Sequence, residues 1–203
     1  MPPRMRKPGG RGAGRPTFPV TSCDCEDCRA ACINSPGWFT PDQIAPLARH
    51  LGLTVAETFA KRLAVGVTLM PDGTRRFGVM PHKLRDGKKP GSLWTLDELA
   101  RPGRCIFFDR GKCTIYPLRP YECARMMHDR PRDAVRLRHA IVPRWSAAAL
   151  APFAELVGRK LPVPPRRGKA RPPAPACLWL PKGVGKVRGL YYPGAVMIEK
   201  KLA

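Results

Sequence analysis

Eight cysteines carry the sequence's most specific chemistry. Cys23, Cys25, Cys28 and Cys32 fall within ten residues, and Cys105, Cys113 and Cys123 within nineteen. Cys177 stands alone beside Leu178 and Trp179 and reads as a core residue. Cysteines crowded as C-x-C and C-x-x-C are poorly placed to pair with one another at good disulfide geometry. Metal chelation favours such crowding. A tetrahedral centre takes thiolate sulfurs at about 2.3 Å, and a C-x-x-C turn delivers two of them together. A remote second group then closes the centre. Sulfur-rich ligation selects zinc, iron in an iron–sulfur cluster, or Cu(I), and disfavours magnesium and calcium. The candidate ligands are therefore Cys25, Cys28, Cys32, Cys105, Cys113 and Cys123, with Cys23 as an extra thiol. His128, five residues after Cys123, is a further candidate as ligand or outer-shell donor.

Positioning these thiols falls to short elements. Thr40-Pro41-Asp42-Gln43 is a capping box with proline in the first helical position, followed by Ile44, Leu47 and Leu51 at helical spacing and a stop at Gly52. Thr54-Val55-Ala56-Glu57 opens a second helix carrying Phe59 and Leu63, so the pair forms a helical hairpin. Residues 65–70 and 75–80 are β-rich runs around Pro71-Asp72-Gly73, which predicts a β-hairpin. Residues 82–92 read as polar loop, and Thr95 caps a helical turn. A second hairpin is expected from Cys105–Phe108 and Lys112–Tyr116 around Asp109-Arg110-Gly111, with Cys105 facing Cys113. A short helix is expected around Tyr121 to Met127. It would set Cys123 at a helix N-terminus, where the dipole lowers a thiol pKa. Ser146 caps a last helix over 146–158, ended by Gly158.

The 203 residues suffice for one domain, two at most. Net charge is +22, from 37 Lys and Arg against 15 Asp and Glu. Residues 1–16 hold five basic residues and no acid, and 156–198 hold nine basic residues and no acid. These Pro/Gly-rich ends bury too little apolar surface to offset the entropy of ordering them, so 1–16 and about 159–175 read as mobile. Basic ends also attract phosphate backbones, which makes nucleic acid a candidate partner. Leu178-Trp179-Leu180 and Leu190-Tyr191-Tyr192 are expected to pack back on the domain. The sequence has no apolar run of spanning length, no secretory-type apolar segment in its first 16 residues, no heptad and no Gly-X-Y period. A reducing, cytoplasmic setting without membrane contact follows as the expectation. The fold class expected is α+β, a small single domain of short helices and two β-hairpins around a Cys-ligated metal site. Its parts are a basic arm at 1–16, the cysteine domain at 17–158 and a Pro-rich basic extension at 159–203.

The late block reads Cys105-Ile106-Phe107-Phe108-Asp109-Arg110-Gly111-Lys112-Cys113-Thr114-Ile115-Tyr116-Pro117-Leu118-Arg119-Pro120-Tyr121-Glu122-Cys123. Together with Phe39-Thr40-Pro41-Asp42-Gln43-Ile44 and Leu51-Gly52-Leu53 through Phe59, it resembles the CxxCxxCC cysteine-cluster family, also called YkgJ-like, of zinc- or iron-chelating domains. The resemblance spans about residues 22–128. Cys25 and Cys28 match the first two family cysteines and Cys32 the last, Ala31 stands at the third, and Cys23 is extra. The resemblance implies metal binding, with zinc and an iron–sulfur cluster both open. Arg119-Pro120 matches the family's Arg-Pro pair, and Pro120 biases Arg119 away from helix. Arg104, Arg110, Lys112, Arg119 and Arg125 are the cations available to offset an anionic thiolate centre. Two other readings compete: an Fe–S-dependent enzyme of redox or group-transfer type, and a nucleic-acid-binding module in which zinc staples the fold. Whether the chain is an enzyme stays open at this level.

Overall fold

A computed structural model describes residues 18, 20, 26–34, 36–85, 87–126 and 131–161, with the backbone alone for residues 27, 28 and 131–134. The arm at 1–16, Cys23, Cys25, His128, Cys177 and the apolar clusters at 178–180 and 190–192 lie outside the described residues, as does the side chain of Cys28.

The described fold is a small α+β domain. Helix α1 (Glu26–Asn34) precedes α2 (Ile44–His50) and α3 (Val55–Arg62). The capping boxes at Thr40 and Thr54 form as the sequence predicts. Glu57 N–H donates to Thr54 Oγ1 at 3.1 Å, and Thr54 N–H donates back to Glu57 Oε2 at 3.0 Å. Leu63, expected on the helix, is instead extended and begins strand β1 (Leu63–Leu69) with no intervening loop. Strand β2 (Arg75–Pro81) completes the predicted hairpin, in register from Leu63 opposite Pro81 to Leu69 opposite Arg75.

One indole organises this sheet. Gly66 and Gly78 face each other across β1 and β2. A Cβ on either would come within 2.8 Å of the Trp38 ring, so the two glycines leave a floor on which that ring lies. Trp38 is 1% exposed and joins Phe39, Ile44, Leu47, Phe59, Val65, Val79, Trp145 and Phe153 in one core. Trp145 Nε1 donates to the Phe39 carbonyl at 2.9 Å, which closes the core from the C-terminal side.

Residues 82–92, expected as loop, contain strand β3 (Lys83–Leu84), and β4 (Leu93–Trp94) follows directly. Strand β4 runs parallel to β1, giving a sheet of order β2-β1-β4. Helix α4 (Leu96–Ala100) starts at the Thr95 cap. The second hairpin is shorter than expected. Strand β5 (Arg104–Cys105) pairs with β3, and only β6 (Phe108–Asp109) and β7 (Lys112–Cys113) form the hairpin. Cys113 therefore faces Phe108, and Cys105 faces Lys83. The reason lies at Cys105-Ile106-Phe107, where the chain turns out of β5 before the hairpin begins. Arg110 and Gly111, at φ 45° and 78°, make the tight reversal.

Residues 121–125 are successive turns rather than a helix, although Ala124 N–H reaches the Pro120 carbonyl and Met126 N–H the Glu122 carbonyl. Helix α5 (Pro131–Ile141) is an element the sequence pattern does not announce. Helix α6 (Ala147–Leu156) follows Ser146, whose hydroxyl accepts from Ala149 N–H, as predicted. Among the described residues no helix is long and apolar enough to cross a membrane.

Candidate functional site

Cys32 and the late group Cys105, Cys113 and Cys123 come from two distant segments and are free thiols in the described structure. Helix α1 packs on β5 and so carries Cys32 toward Cys105. Burial pushes the Cys32 thiol up to about 11, with a further rise from Cys113. Burial pushes Cys105 up to about 12, with rises from Cys32 and Cys113 that the N–H groups of Phe107 and Phe108 oppose. Cys123 is raised well above an ordinary thiol, first by burial and then by Cys32, Cys105 and Glu122. The early and late cysteines are therefore electrostatic neighbours, although ninety-one positions separate Cys32 from Cys123 along the chain.

Two expectations are corrected. Cys123 does not begin a helix, so no dipole lowers its pKa, and burial governs in the opposite direction. Cys105 and Cys113 are neighbours, but through the turn after β5 rather than by facing each other across a hairpin.

One backbone donor is aimed at a sulfur: Gly37 N–H donates to Cys123 Sγ at 3.3 Å, which favours the thiolate over the thiol. The backbone amides of Phe107 and Phe108 pull the Cys105 pKa down, and that of Ile115 pulls Cys113 down. Burial raises Cys113, while the Ile115 amide and the Arg119 charge pull it down. Arg104 and Arg110 lie 4.0 and 3.8 Å from Asp109 in exposed pairs, and Arg125 stacks on Tyr121.

Cys123 is held by a clasp that sequence reasoning does not single out. Trp38 N–H donates to Glu122 Oε2 at 3.0 Å, and Glu122 N–H donates to the Trp38 carbonyl at 3.2 Å. Arg138 of α5 donates to both oxygens of Glu122, at 2.7 and 3.3 Å. The pair is buried, with side chains 7% and 2% exposed, and the guanidinium lies 5.1 Å from the Trp38 ring centre. A Cβ at Gly37 would meet Cys123 Sγ at 2.7 Å, so only glycine permits this approach. Lys83, opposite Cys105, is 1% exposed and donates to the carbonyls of Leu99 and Arg101, tying the end of α4 to β3. Burial holds its pKa down to about 8. The available signal for these residues was an acid beside Cys123 in an otherwise basic segment and an arginine on the apolar stripe of α5.

Among the described residues, no three or more His, Cys, Asp or Glu side chains are gathered as a group that could hold a metal ion. Compared with protein-family models, curated proteins and solved structures, the chain has no match.

Proposed function

We propose that the protein is a cysteine-ligated metal-binding domain of the CxxCxxCC type, taking zinc or iron, the latter as an iron–sulfur cluster. The observation that carries this reading is the electrostatic coupling of Cys32 to Cys105, Cys113 and Cys123, across a long separation in sequence. The donor chemistry fits: soft, largely buried sulfur ligands, with the Gly37 N–H directed at Cys123 and the backbone amides of Phe107, Phe108 and Ile115 favouring thiolate at Cys105 and Cys113. Cys28, one turn before Cys32 on α1, and Cys25 and Cys23 ahead of it are the remaining candidate ligands. Metal binding would draw the sulfurs closer, and each ligating thiol would release its proton. A bound ion would supply the cross-link between α1 and the late block. A reducing compartment suits thiolate ligands, so the cytoplasm is the proposed location.

The test is elemental analysis with a visible spectrum on protein purified aerobically and anaerobically. The expected result is about one equivalent of zinc, or iron with dithionite-bleachable absorption at roughly 400 nm. Structural zinc contributes on the order of 10 kcal/mol to folding. Chelation should therefore erase the cooperative melting transition, and Cys105→Ser and Cys123→Ser should lose metal. Sub-stoichiometric zinc and iron in both preparations, with melting indifferent to chelator, would defeat the proposal.

A further inference from the structure

Beside the thiols, the chain from Arg110 to Arg125 builds a surface of a different kind. Its basic residues are Arg110, Lys112, Arg119 and Arg125, and its one acid, Glu122, is buried against Arg138. The Arg110 side chain is 94% exposed. Two tyrosines interleave with the cations. The Arg119 guanidinium lies 4.0 Å from the ring centre of Tyr116, itself 42% exposed. The Arg125 guanidinium lies 3.8 Å from the centre of Tyr121, and Arg144, arriving from the turn before α6, lies 5.5 Å from the same ring.

The platform is rigid. Pro117 and Pro120 fix the backbone on either side of Arg119. The Gln43 amide, the same group that completes the Thr40 capping box, donates to the Arg119 carbonyl at 3.2 Å and accepts from Tyr121 N–H at 2.9 Å. Little ordering entropy would be lost when a ligand settles on such a surface.

We propose that this face, Tyr116 and Tyr121 with Arg119, Arg125, Arg144 and Lys112, binds single-stranded polynucleotide. Each guanidinium already donates within the protein: Arg119 to the Tyr116 carbonyl at 3.2 Å, Arg125 to the Phe18 carbonyl at 3.1 Å, and Arg144 to Asp42 in an exposed pair at 3.4 Å. A guanidinium carries five N–H donors, so one such bond still allows a phosphate contact, and an exposed tyrosine ring offers a stacking surface to a base. Bases in a duplex are already stacked, so the aromatic component selects single strands. A chain of net charge +22 adds long-range attraction for any polyanion. The aromatic contribution separates this surface from the basic ends. Its recognition needs no metal, so it stands apart from the chelation reading.

The experiment is fluorescence anisotropy of the full chain with fluorescein-labelled 20-nucleotide poly-U and poly-dT, a 20-base-pair duplex, and heparin as competitor, over a salt series. The parent should bind either single strand more tightly than the duplex. Tyr116→Ala should weaken single-strand binding about tenfold, with circular dichroism and metal content unchanged. Tyr116→Phe should stay within about twofold of the parent, because the ring and not the hydroxyl stacks. Arg144→Ala should lower the log–log salt slope by about 0.7, the value for one lost phosphate contact on a single strand. The proposal is overturned if single strands show no binding at 50 mM salt (roughly where such contacts are strong). It is equally overturned if Tyr116→Ala leaves the affinity unchanged, or if duplex and heparin bind as well as single strands. Either of those last results would assign the binding to charge in the basic ends or to an acidic partner.

Discussion

Gly37→Ala tests how Cys123 is held. A Cβ at position 37 would lie 2.7 Å from Cys123 Sγ, 2.8 Å from Cys123 N and 2.9 Å from Glu122 Cβ. Ordinary contact begins at about 3.5 Å, so the two segments would have to part by about 0.7 Å. That movement stretches three bonds: Gly37 N–H to Cys123 Sγ at 3.3 Å, Trp38 N–H to Glu122 Oε2 at 3.0 Å, and Glu122 N–H to the Trp38 carbonyl at 3.2 Å. Each neutral bond is worth about 1 kcal/mol and the carboxylate bond about 1.5–3 kcal/mol. If the segments stay together, overpacking costs about 1–3 kcal/mol instead. The first route costs at most about 3.5–5 kcal/mol and the second about 1–3 kcal/mol, so a loss of about 3 kcal/mol is expected. Gly52→Ala is the comparison. Gly52 has φ 65° and nothing within 4 Å of an added methyl, so backbone strain alone applies, at about 1 kcal/mol. Urea unfolding of both variants, with unchanged slope, reads the difference. Metal content should fall in Gly37→Ala and hold in Gly52→Ala. A Gly37→Ala protein as stable as its Gly52→Ala counterpart would refute the close approach of these segments.

Two further predictions concern buried charge. Glu122→Gln and Arg138→Met each break a buried, hydrogen-bonded pair and should cost about 3–5 kcal/mol in urea unfolding. The double substitution should cost clearly less than the two single losses added, because no buried charge is then stranded; strict additivity would show that the pair does not act as a unit. His82 is 1% exposed, its ring edge-on to Trp94 at 5.5 Å. Burial holds its pKa down to about 4. The Lys88 charge lowers it further, while the Lys88 backbone opposes the shift. The folded state thus favours neutral His82, so its contribution is complete above about pH 6.5 and is lost as pH falls toward about 4. Between pH 7 and pH 5 the loss should be about 2 kcal/mol. His82→Phe should flatten the urea-midpoint profile over that interval, and parallel profiles for parent and variant would remove the claim.

The sequence made the helix starts legible because caps are local chemistry. Thr40, Thr54, Thr95 and Ser146 each need only a partner three residues on, and each begins its helix as predicted. The Pro71-Asp72-Gly73 hairpin was legible for the same reason. Strand β4 was not, because two residues joined in parallel to β1 have no periodicity, and their pairing depends on a partner almost thirty positions back. Helix α5 was hidden by its charge: Leu137 and Ile141 are fully buried at helical spacing, but arginines surround them and one of those arginines is itself in the interior. The cysteine groups were visible as spacing. Their neighbourhood across the fold was inferred from the need to close a centre, whereas the clasp from Trp38, Glu122 and Arg138 left only a faint mark, a lone acid beside Cys123, because its partners lie far apart in sequence.

The backbone donors bear on which ionic form of sulfur the fold is built around. An amide N–H directed at a neutral thiol gains little, since the thiol is a weak acceptor. The same amide directed at a thiolate makes a charge-assisted bond roughly twice as strong as a neutral one. Gly37 directs its donor at Cys123 in this way, and the backbone amides of Phe107, Phe108 and Ile115 pull the pKa values of Cys105 and Cys113 down. Burial alone pushes these thiols upward, so the donors and the burial act in opposition. On the proposed reading, a cation that neutralises sulfur would relieve this opposition: the donors would meet anionic acceptors, and the interior a centre whose charge is offset. Without a cation the burial wins, and the fold holds these cysteines as neutral thiols.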